Sequence, residues 1–280
     1  MAPSRAPDIA ATPAGFLDPA EVAMTAQFLK QGYVIQPAAD RLALDRIRDH
    51  LAATTARYLG ESVPSDSGDF LNRLHEKVSG EALNDLRLAV IQDINAQAWL
   101  RPAYFAVARN TIETLIGNEL AMQRRINLSI QMPHDDKSLL PVHADVWSGD
   151  SAFEAVLWVP FVDVFATKSM FIAAPETNAE MQARFKAFGD QSAEDLYRDI
   201  AGQLTFLDIP YGHVLLFNQN LMHGNRVNTE SETRWTMNCR FKSVLSPYAD
   251  KKLGEFFEPI TLRAMTRIGM DHELPTGFEE

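Results

Sequence analysis

Hydrophobic positions recur at helical spacing through the first half of the chain, and the second half changes to short strand-like runs separated by turn-rich segments. Ala20–Gln31 has helical spacing and stops at Gly32, a residue suited to a C-cap. Tyr33–Ile35 is a short strand candidate. Asp40–Leu59 places Leu42, Leu44, Ile47 and Leu51 at helical intervals among charged residues. Gly60–Gly68, with Pro64 and several Ser and Asp, is expected to be a loop. Glu81–Ala96 and Trp99–Ile116 are expected to be two further helices. Strands are expected over Ile126–Met132, Glu154–Val164, Ser169–Ala174, Leu204–Ile209, Gly212–Phe217 and Arg234–Val244. One helical insertion, Glu176–Ile200, interrupts them. Helices followed by a run of strands predict an α+β fold, a β-sandwich or barrel supported by N-terminal helices.

Two of these strands carry a sharper pattern. Along Arg234–Phe241 the even positions are Arg, Thr, Asn and Arg, and the odd positions are Trp, Met, Cys and Phe. Ile126–Met132 repeats the alternation, with Asn127, Ser129 and Gln131 on one face. Strand side chains alternate faces, so each strand has one polar and one apolar side. Taken alone, each pattern fits a solvated outer face as well as the polar lumen of a small barrel. A plain surface strand would more often show Lys and Glu. Here the polar residues are Asn, Ser, Gln and Thr, with charge confined to Arg.

Composition narrows the classes. The chain has 280 residues, 46% hydrophobic and 22% charged, as in an ordinary globular protein. Its net charge of −11, without a Lys/Arg cluster, argues against a nucleic-acid or anionic-membrane partner. Cys239 is the sole cysteine, which excludes an internal disulfide and a thiolate cluster and fits a reducing, cytoplasmic setting. There is no apolar run of transmembrane length. Residues 1–19, rich in Ala and Pro, are expected to form a flexible arm. Residues 20–280 are expected to form a single domain: a helical part over about 20–120, a barrel part over about 121–250 and a tail over 251–280.

The candidate chemistry is a metal site. Two His and one carboxylate on one side of an iron ion leave positions open for other ligands. An H-x-D pair at a strand end can supply two of the three. Such a pair arises by chance roughly once in two chains of this composition, so its surroundings must decide. His134/Asp136 lies in a polar stretch, and His143/Asp145 lies among small and apolar neighbours, as expected of a site sunk into a barrel mouth. The second pair is favoured. His223, after the apolar strand Gly212–Phe217, is the candidate third ligand. His213 has a competing claim, although a hydrogen-bonded strand histidine explains it more simply. Arg234, eleven residues after His223, could be an ordinary surface Arg in a salt bridge; beside the metal residues, and with Thr236 on the same strand face, a bidentate pair with a carboxylate is favoured.

These residues resemble the phytanoyl-CoA hydroxylase-like branch of the iron(II)/2-oxoglutarate oxygenases. More narrowly, they resemble the oxygenases of bacterial carbohydrate and aminoglycoside biosynthetic clusters. The matching stretches are Phe28–Ile35, Pro141–Gly149, Gly212–Phe217, His223–Asn225 and Arg234–Thr236. The resemblance implies a double-stranded β-helix (jelly-roll, cupin-like) core. It implies His143, Asp145 and His223 as iron ligands and Arg234 as partner of the distal carboxylate of 2-oxoglutarate. Asn127, Gln131, Asn225 and Thr236 are further candidates for contact with that co-substrate. Asn225 stands where relatives often have Ser. Asp145 stands where halogenases of the superfamily have a small residue, which favours hydroxylation or a related oxidation. The implied reaction consumes O2, converts 2-oxoglutarate to succinate and CO2, and removes a hydrogen atom from the substrate, with ascorbate as an auxiliary reductant.

The substrate itself is left open. The narrower resemblance suggests a sugar, aminocyclitol or other small polar metabolite. Trp147, Trp158 and Arg240 are candidate pocket-lining residues, against packing for the tryptophans and a salt bridge for Arg240. Lys137 and Lys168 could also meet an anionic group. Glu176–Ile200, with Met181, Phe185 and Phe188, sits where a lid would be expected, or packs as a surface helix. Three rivals stand: a cupin-like enzyme without 2-oxoglutarate, a non-enzymatic binding barrel, and a zinc hydrolase. The last leaves Arg234 unexplained.

Overall fold

The structure is a computed structural model and describes residues 15–185 and 192–273. The N-terminal half is a helical support. Helix α1 (Pro19–Gln31) starts on a capping box made by Asp18 and Glu21. It ends at Gly32, whose φ of 78° is the left-handed cap the sequence suggested. Strand β1 (Tyr33–Pro37) leads to α2 (Arg41–Tyr58), capped by Asp40. Then come α3 (Ser67–Asn72), α4 (Leu83–Asn95), α5 (Leu100–Ala106) and α6 (Arg109–Ile116).

The C-terminal half supplies two antiparallel sheets. The strands are β2 (Leu120–Gln123), β3 (Asn127–Gln131), β4 (Ala155–Pro160), β5 (Phe171–Ala173), β6 (Leu204–Phe206), β7 (His213–Asn218), β8 (His223–Gly224), β9 (Arg234–Ser243) and β10 (Phe257–Pro259). Helices α7 (Pro175–Arg184) and α8 (Ala193–Ile200) lie between β5 and β6, and α9 (Ala264–Met270) follows β10. The larger sheet runs β1-β7-β4-β9-β2-β10, with β3 also paired to β9. The smaller runs β6-β5-β8.

Strand β9 organises the larger sheet. One edge pairs with β4 along Thr236–Phe241. Its other edge pairs first with β3, from Arg234↔Gln131 to Asn238↔Asn127, and then with β2. The odd residues Trp235, Met237, Cys239 and Phe241 are all fully buried. They join Leu44, Ile47 and Leu51 of α2 and Leu86, Val90 and Ile94 of α4 in one core. Burial of this surface is the main drive that presses helices and sheet together. The Tyr104 hydroxyl on α5 reaches the carbonyls of Leu157 (2.9 Å) and Met237 (3.0 Å), tying the helical layer to β4 and β9.

Several expectations are corrected. The single helix expected over Trp99–Ile116 is two, broken where Ala108 leaves helical dihedrals (φ −133°, ψ 18°) and the Val107 carbonyl accepts from the Ala39 amide. The expected loop Gly60–Gly68 already enters α3 at Ser67. The 251–280 tail contributes β10 to the larger sheet. Among its described residues the insertion Glu176–Ile200 holds α8 and nearly all of α7, not one continuous helix. Their residues Met181, Leu196 and Ile200 pack on Phe171, Ala173 and Met222 of and beside the smaller sheet. Phe188 and most of the expected N-terminal arm lie outside the described residues. Among the described residues no helix is long and apolar enough to cross a membrane.

Candidate metal centre

The two sheets enclose a cavity of about 710 Å3. The larger sheet contributes Asn127, Ser129, Val156, Trp158, Phe217, Arg234, Asn238 and Arg240 to its wall. His223 and Gly224 of β8 line it from the smaller sheet, with Met170 just ahead of β5. Five polar-face residues of β3 and β9 thus line this interior, beside Leu128 and Ile130, which favours the lumen reading over a solvated outer face. The exposed Glu81 and Asn84 of the α4 N-terminal region and Lys137, Leu139 and Leu140 of the following loop form the rim.

His143 and His223 are partners in an antiparallel bridge beside β8. The His143 amide donates to the His223 carbonyl (3.0 Å), and the His223 amide donates back (2.8 Å). Their ring centroids are 4.3 Å apart. Ala144 is extended (φ −121°, ψ 135°), so Asp145 returns to the same side as His143. The Asp145 amide donates to the Gln219 carbonyl (3.1 Å), which fixes the chain there.

Each histidine ring is locked through Nδ1. His143 Nδ1 lies 2.8 Å from the Pro141 carbonyl, and His223 Nδ1 lies 2.8 Å from the Leu221 carbonyl. A carbonyl can only accept, so both Nδ1 atoms carry a proton, and each Nε2 is the ring nitrogen left for a metal. Both Nε2 atoms face one carboxylate oxygen: Asp145 Oδ1 is 3.3 Å from His143 Nε2 and 3.8 Å from His223 Nε2. One ligand atom from each residue lies within 4.8 Å of the others. Bonds of about 2.0–2.2 Å to a shared ion place neighbouring donors about 3 Å apart, so the cluster fits a transition metal.

The electrostatics agree with the geometry. Burial alone would raise the Asp145 carboxyl, but the hydrogen bond to His143 and the charge of Arg240 hold it far below the usual range. Burial, with His143 beside it, pushes the His223 imidazole down to about 4. Burial also opposes charge on His143, yet its bond to Asp145 leaves the net shift upward. Asp145 is thus an anion and His223 a neutral base, the forms a metal requires.

Arg234 opens on the same cavity and is 3% exposed. Nη1 donates to the Ser169 carbonyl and Nη2 to Ser129 Oγ, both at 3.3 Å, and Nε has no partner. No carboxylate of the described residues pairs with it. Burial lowers its pKa to about 10. The Ser169 and Thr236 hydroxyls are also buried without partners. Buried charge without a counterion is costly, and the Arg234 guanidinium, which opens on the cavity, fits an incoming carboxylate.

The other sequence candidates fall in different places. Asn127 donates to Asn238 Oδ1 (3.0 Å) on the cavity wall. Gln131 is fully buried behind it and donates to the Arg226 carbonyl (2.7 Å). Asn225 lines the cavity but is occupied with the 138–140 loop: Oδ1 accepts from the Leu140 amide (2.6 Å), and Nδ2 reaches the Ser138 carbonyl (3.2 Å). Trp158 lines the cavity. Trp147 does not, and its ring packs at a tilt against Phe185, with centroids 4.8 Å apart. Arg240 both lines the cavity and bonds Asp145 (2.8 Å), so the two options given for it are one arrangement. Lys168 is fully buried on Glu232 (2.6 Å) and Asn72 (2.8 Å), away from the cavity. His134 and Asp136 are exposed, and His213 sits on β7 opposite Pro37 with Nδ1 unpaired, not hydrogen-bonded there as expected. Ser169 and Gln219 carry no distinctive signal in the sequence, whereas the β9 alternation already places Asn238 on the polar face.

Gly224 is required by close approach. A Cβ there would lie 2.7 Å from the Leu140 carbonyl oxygen, 2.9 Å from Phe171 and 3.0 Å from the Pro141 carbonyl oxygen. Gly224→Ala must therefore push β8 from the 140–141 backbone and pull His223 from His143. The expected result is a loss of about 1–3 kcal/mol in urea unfolding and at least a roughly tenfold weaker Co(II) affinity. Wild-type values for both would place the 140–141 segment farther from β8.

No protein-family model matches the chain. No curated protein matches it either. Solved structures do. HygX from Streptomyces hygroscopicus, with nickel and 2-oxoglutarate bound, is 13% identical, with 85% of this chain and 90% of that chain covered, at a TM-score of 0.50. The non-heme α-ketoglutarate-dependent carbocyclase SnoK from nogalamycin biosynthesis is 16% identical, covering 89% and 99%, at 0.50. The apo non-heme monooxygenase ThoJ is 15% identical, covering 80% and 79%, at 0.51. At these identities the likeness is one of fold.

Proposed function

We propose that the chain is an iron(II)- and 2-oxoglutarate-dependent oxygenase, a single domain on a double-stranded β-helix core, that oxidises a small polar metabolite. His143, Asp145 and His223 would hold the iron. Arg234 would take the distal carboxylate of 2-oxoglutarate. When bound, the metal and co-substrate supply the oxidation, coupling O2 and 2-oxoglutarate to an oxidised product, succinate and CO2.

One observation carries this reading: a buried Arg234 without a counterion opens on the same cavity as a three-ligand cluster. A cupin-like metal enzyme or a zinc hydrolase explains the cluster and leaves the guanidinium without purpose. A binding barrel explains neither. HygX binds nickel and 2-oxoglutarate on a similar fold, which supports the same pairing here.

The chain's own groups have separable tasks. The Pro141 and Leu221 carbonyls hold the histidine tautomers. Val156, Trp158, Met170 and Phe217 provide a dry wall beside the ligands, which strengthens every polar contact inside. Asn127 and Asn238, with Asn84 and Lys137 at the rim, offer uncharged and cationic donors to a hydroxylated substrate. Hydroxylation is the favoured outcome, with an intact carboxylate ligand at Asp145.

The test is co-substrate turnover. The protein with Fe(II) and ascorbate is expected to convert 2-oxoglutarate to succinate slowly without added substrate, and faster with the right sugar or aminocyclitol. An iron-loaded protein that neither binds 2-oxoglutarate nor forms succinate would overturn the proposal and favour the cupin or binding-protein rivals.

A further inference from the structure

Behind the ligand cluster lies a network that the proposed chemistry does not yet use. Arg240 Nη2 donates to Asp145 Oδ2 at 2.8 Å. Its Nε donates to Gln219 Oε1 at 3.0 Å and lies 3.3 Å from Asp150 Oδ1. Gln219 is fully buried and is itself held by Ser151 and Glu154 (both 3.0 Å). Asp150 is clamped from behind by Lys251 at 2.6 Å. The guanidinium is therefore fixed on one side before it meets Asp145 on the other. The two oxygens of Asp145 are in different hands: Oδ1 faces the histidines and Oδ2 faces Arg240.

We infer that Arg240 is a positioning residue that keeps Asp145 a one-oxygen metal ligand, by holding Oδ2 out of the coordination sphere. The inference rests on the metal-centre reading above. Its logic is a count of positions. Three protein donors on a six-coordinate ion leave three places. A bidentate co-substrate takes two, and one remains for oxygen. Carboxylates also bind metals through both oxygens, and a freely turning Asp145 would consume that last place. The planar fork of Arg presents Nε and Nη2 in fixed directions at once, which the single ammonium of Lys cannot do.

Infrared difference spectra on Co(II) loading of [13C]aspartate-labelled protein test this, with 2-oxoglutarate affinity of the Co(II)-loaded protein beside them. The unmutated protein should show the wide separation of carboxylate bands of a one-oxygen ligand. In Arg240→Gln the separation should narrow, and 2-oxoglutarate should bind about tenfold more weakly. Arg240→Lys, which lacks the fork, takes its place with the same expectation should Arg240→Gln not fold. A narrow separation in the unmutated protein overturns the inference. So do a folded variant with wide separation and wild-type 2-oxoglutarate affinity, because Arg240 then imposes nothing. If Co(II) fails to bind the unmutated protein, the metal-centre reading itself falls and carries this inference with it.

Discussion

Arg234→Met is expected to make the protein more stable while nearly abolishing its grip on 2-oxoglutarate. The guanidinium is 3% exposed, makes only two long hydrogen bonds and leaves Nε unpaired. Removing a buried charge that lacks a counterion relieves its desolvation cost, and an apolar side chain of similar length can fill the space. The gain in urea unfolding should be about 1–3 kcal/mol. The same change removes the charged partner of the co-substrate, so 2-oxoglutarate affinity should fall by about 3 kcal/mol, on the order of 100-fold. Metal affinity should not change. Lower stability with unaltered 2-oxoglutarate binding would mean that Arg234 serves the fold alone.

The second large effect is expected at His223. Its ring is buried, its Nδ1 is spent on the Leu221 carbonyl, and its Nε2 faces Asp145. His223→Ala removes one of three donors outright. Metal affinity should fall by more than the roughly 10–100-fold that loss of a supporting residue costs. The readout is the visible charge-transfer band formed when 2-oxoglutarate is added anaerobically to Fe(II)-loaded protein, which should vanish. Stabilisation by metal should vanish with it: at 100 times the dissociation constant a bound ion adds about 2.7 kcal/mol, and the variant should gain none. A persisting band would point to another third ligand and dissolve the assigned cluster.

Much of this was legible in the sequence, for definite reasons. The 234–241 and 126–132 alternations survive as β9 and β3 because a strand's two faces are fixed by parity alone. His143/Asp145 was separable from His134/Asp136 because apolar neighbours signal burial. What escaped detection depended on distant partners. Arg240 meets Asp145 across 95 positions, and nothing near either residue announces the other. Strand β8 is two residues long, too short for periodicity, and it exists through its pairing with β5, with His143 bridging His223 on the other side. The break between α5 and α6 has no Gly or Pro at Val107–Ala108, and comes with a tertiary bond from the Ala39 amide. Asn225 had the polar character expected of a co-substrate contact, but the 138–140 loop claims its donors and acceptor.

Strand β9 bears Arg234 at one end and Arg240 toward the other, and is hydrogen-bonded along both edges. A single inserted or deleted residue within it would invert its parity, turning Trp235 or Cys239 into the cavity and a guanidinium into the helical core. Descendants of this chain can therefore alter β9 by substitution and not by length. Changes of size are expected instead in the exposed part of the rim loop, around Asp136–Leu139. New substrates would be acquired there, around a strand whose residue count stays constant.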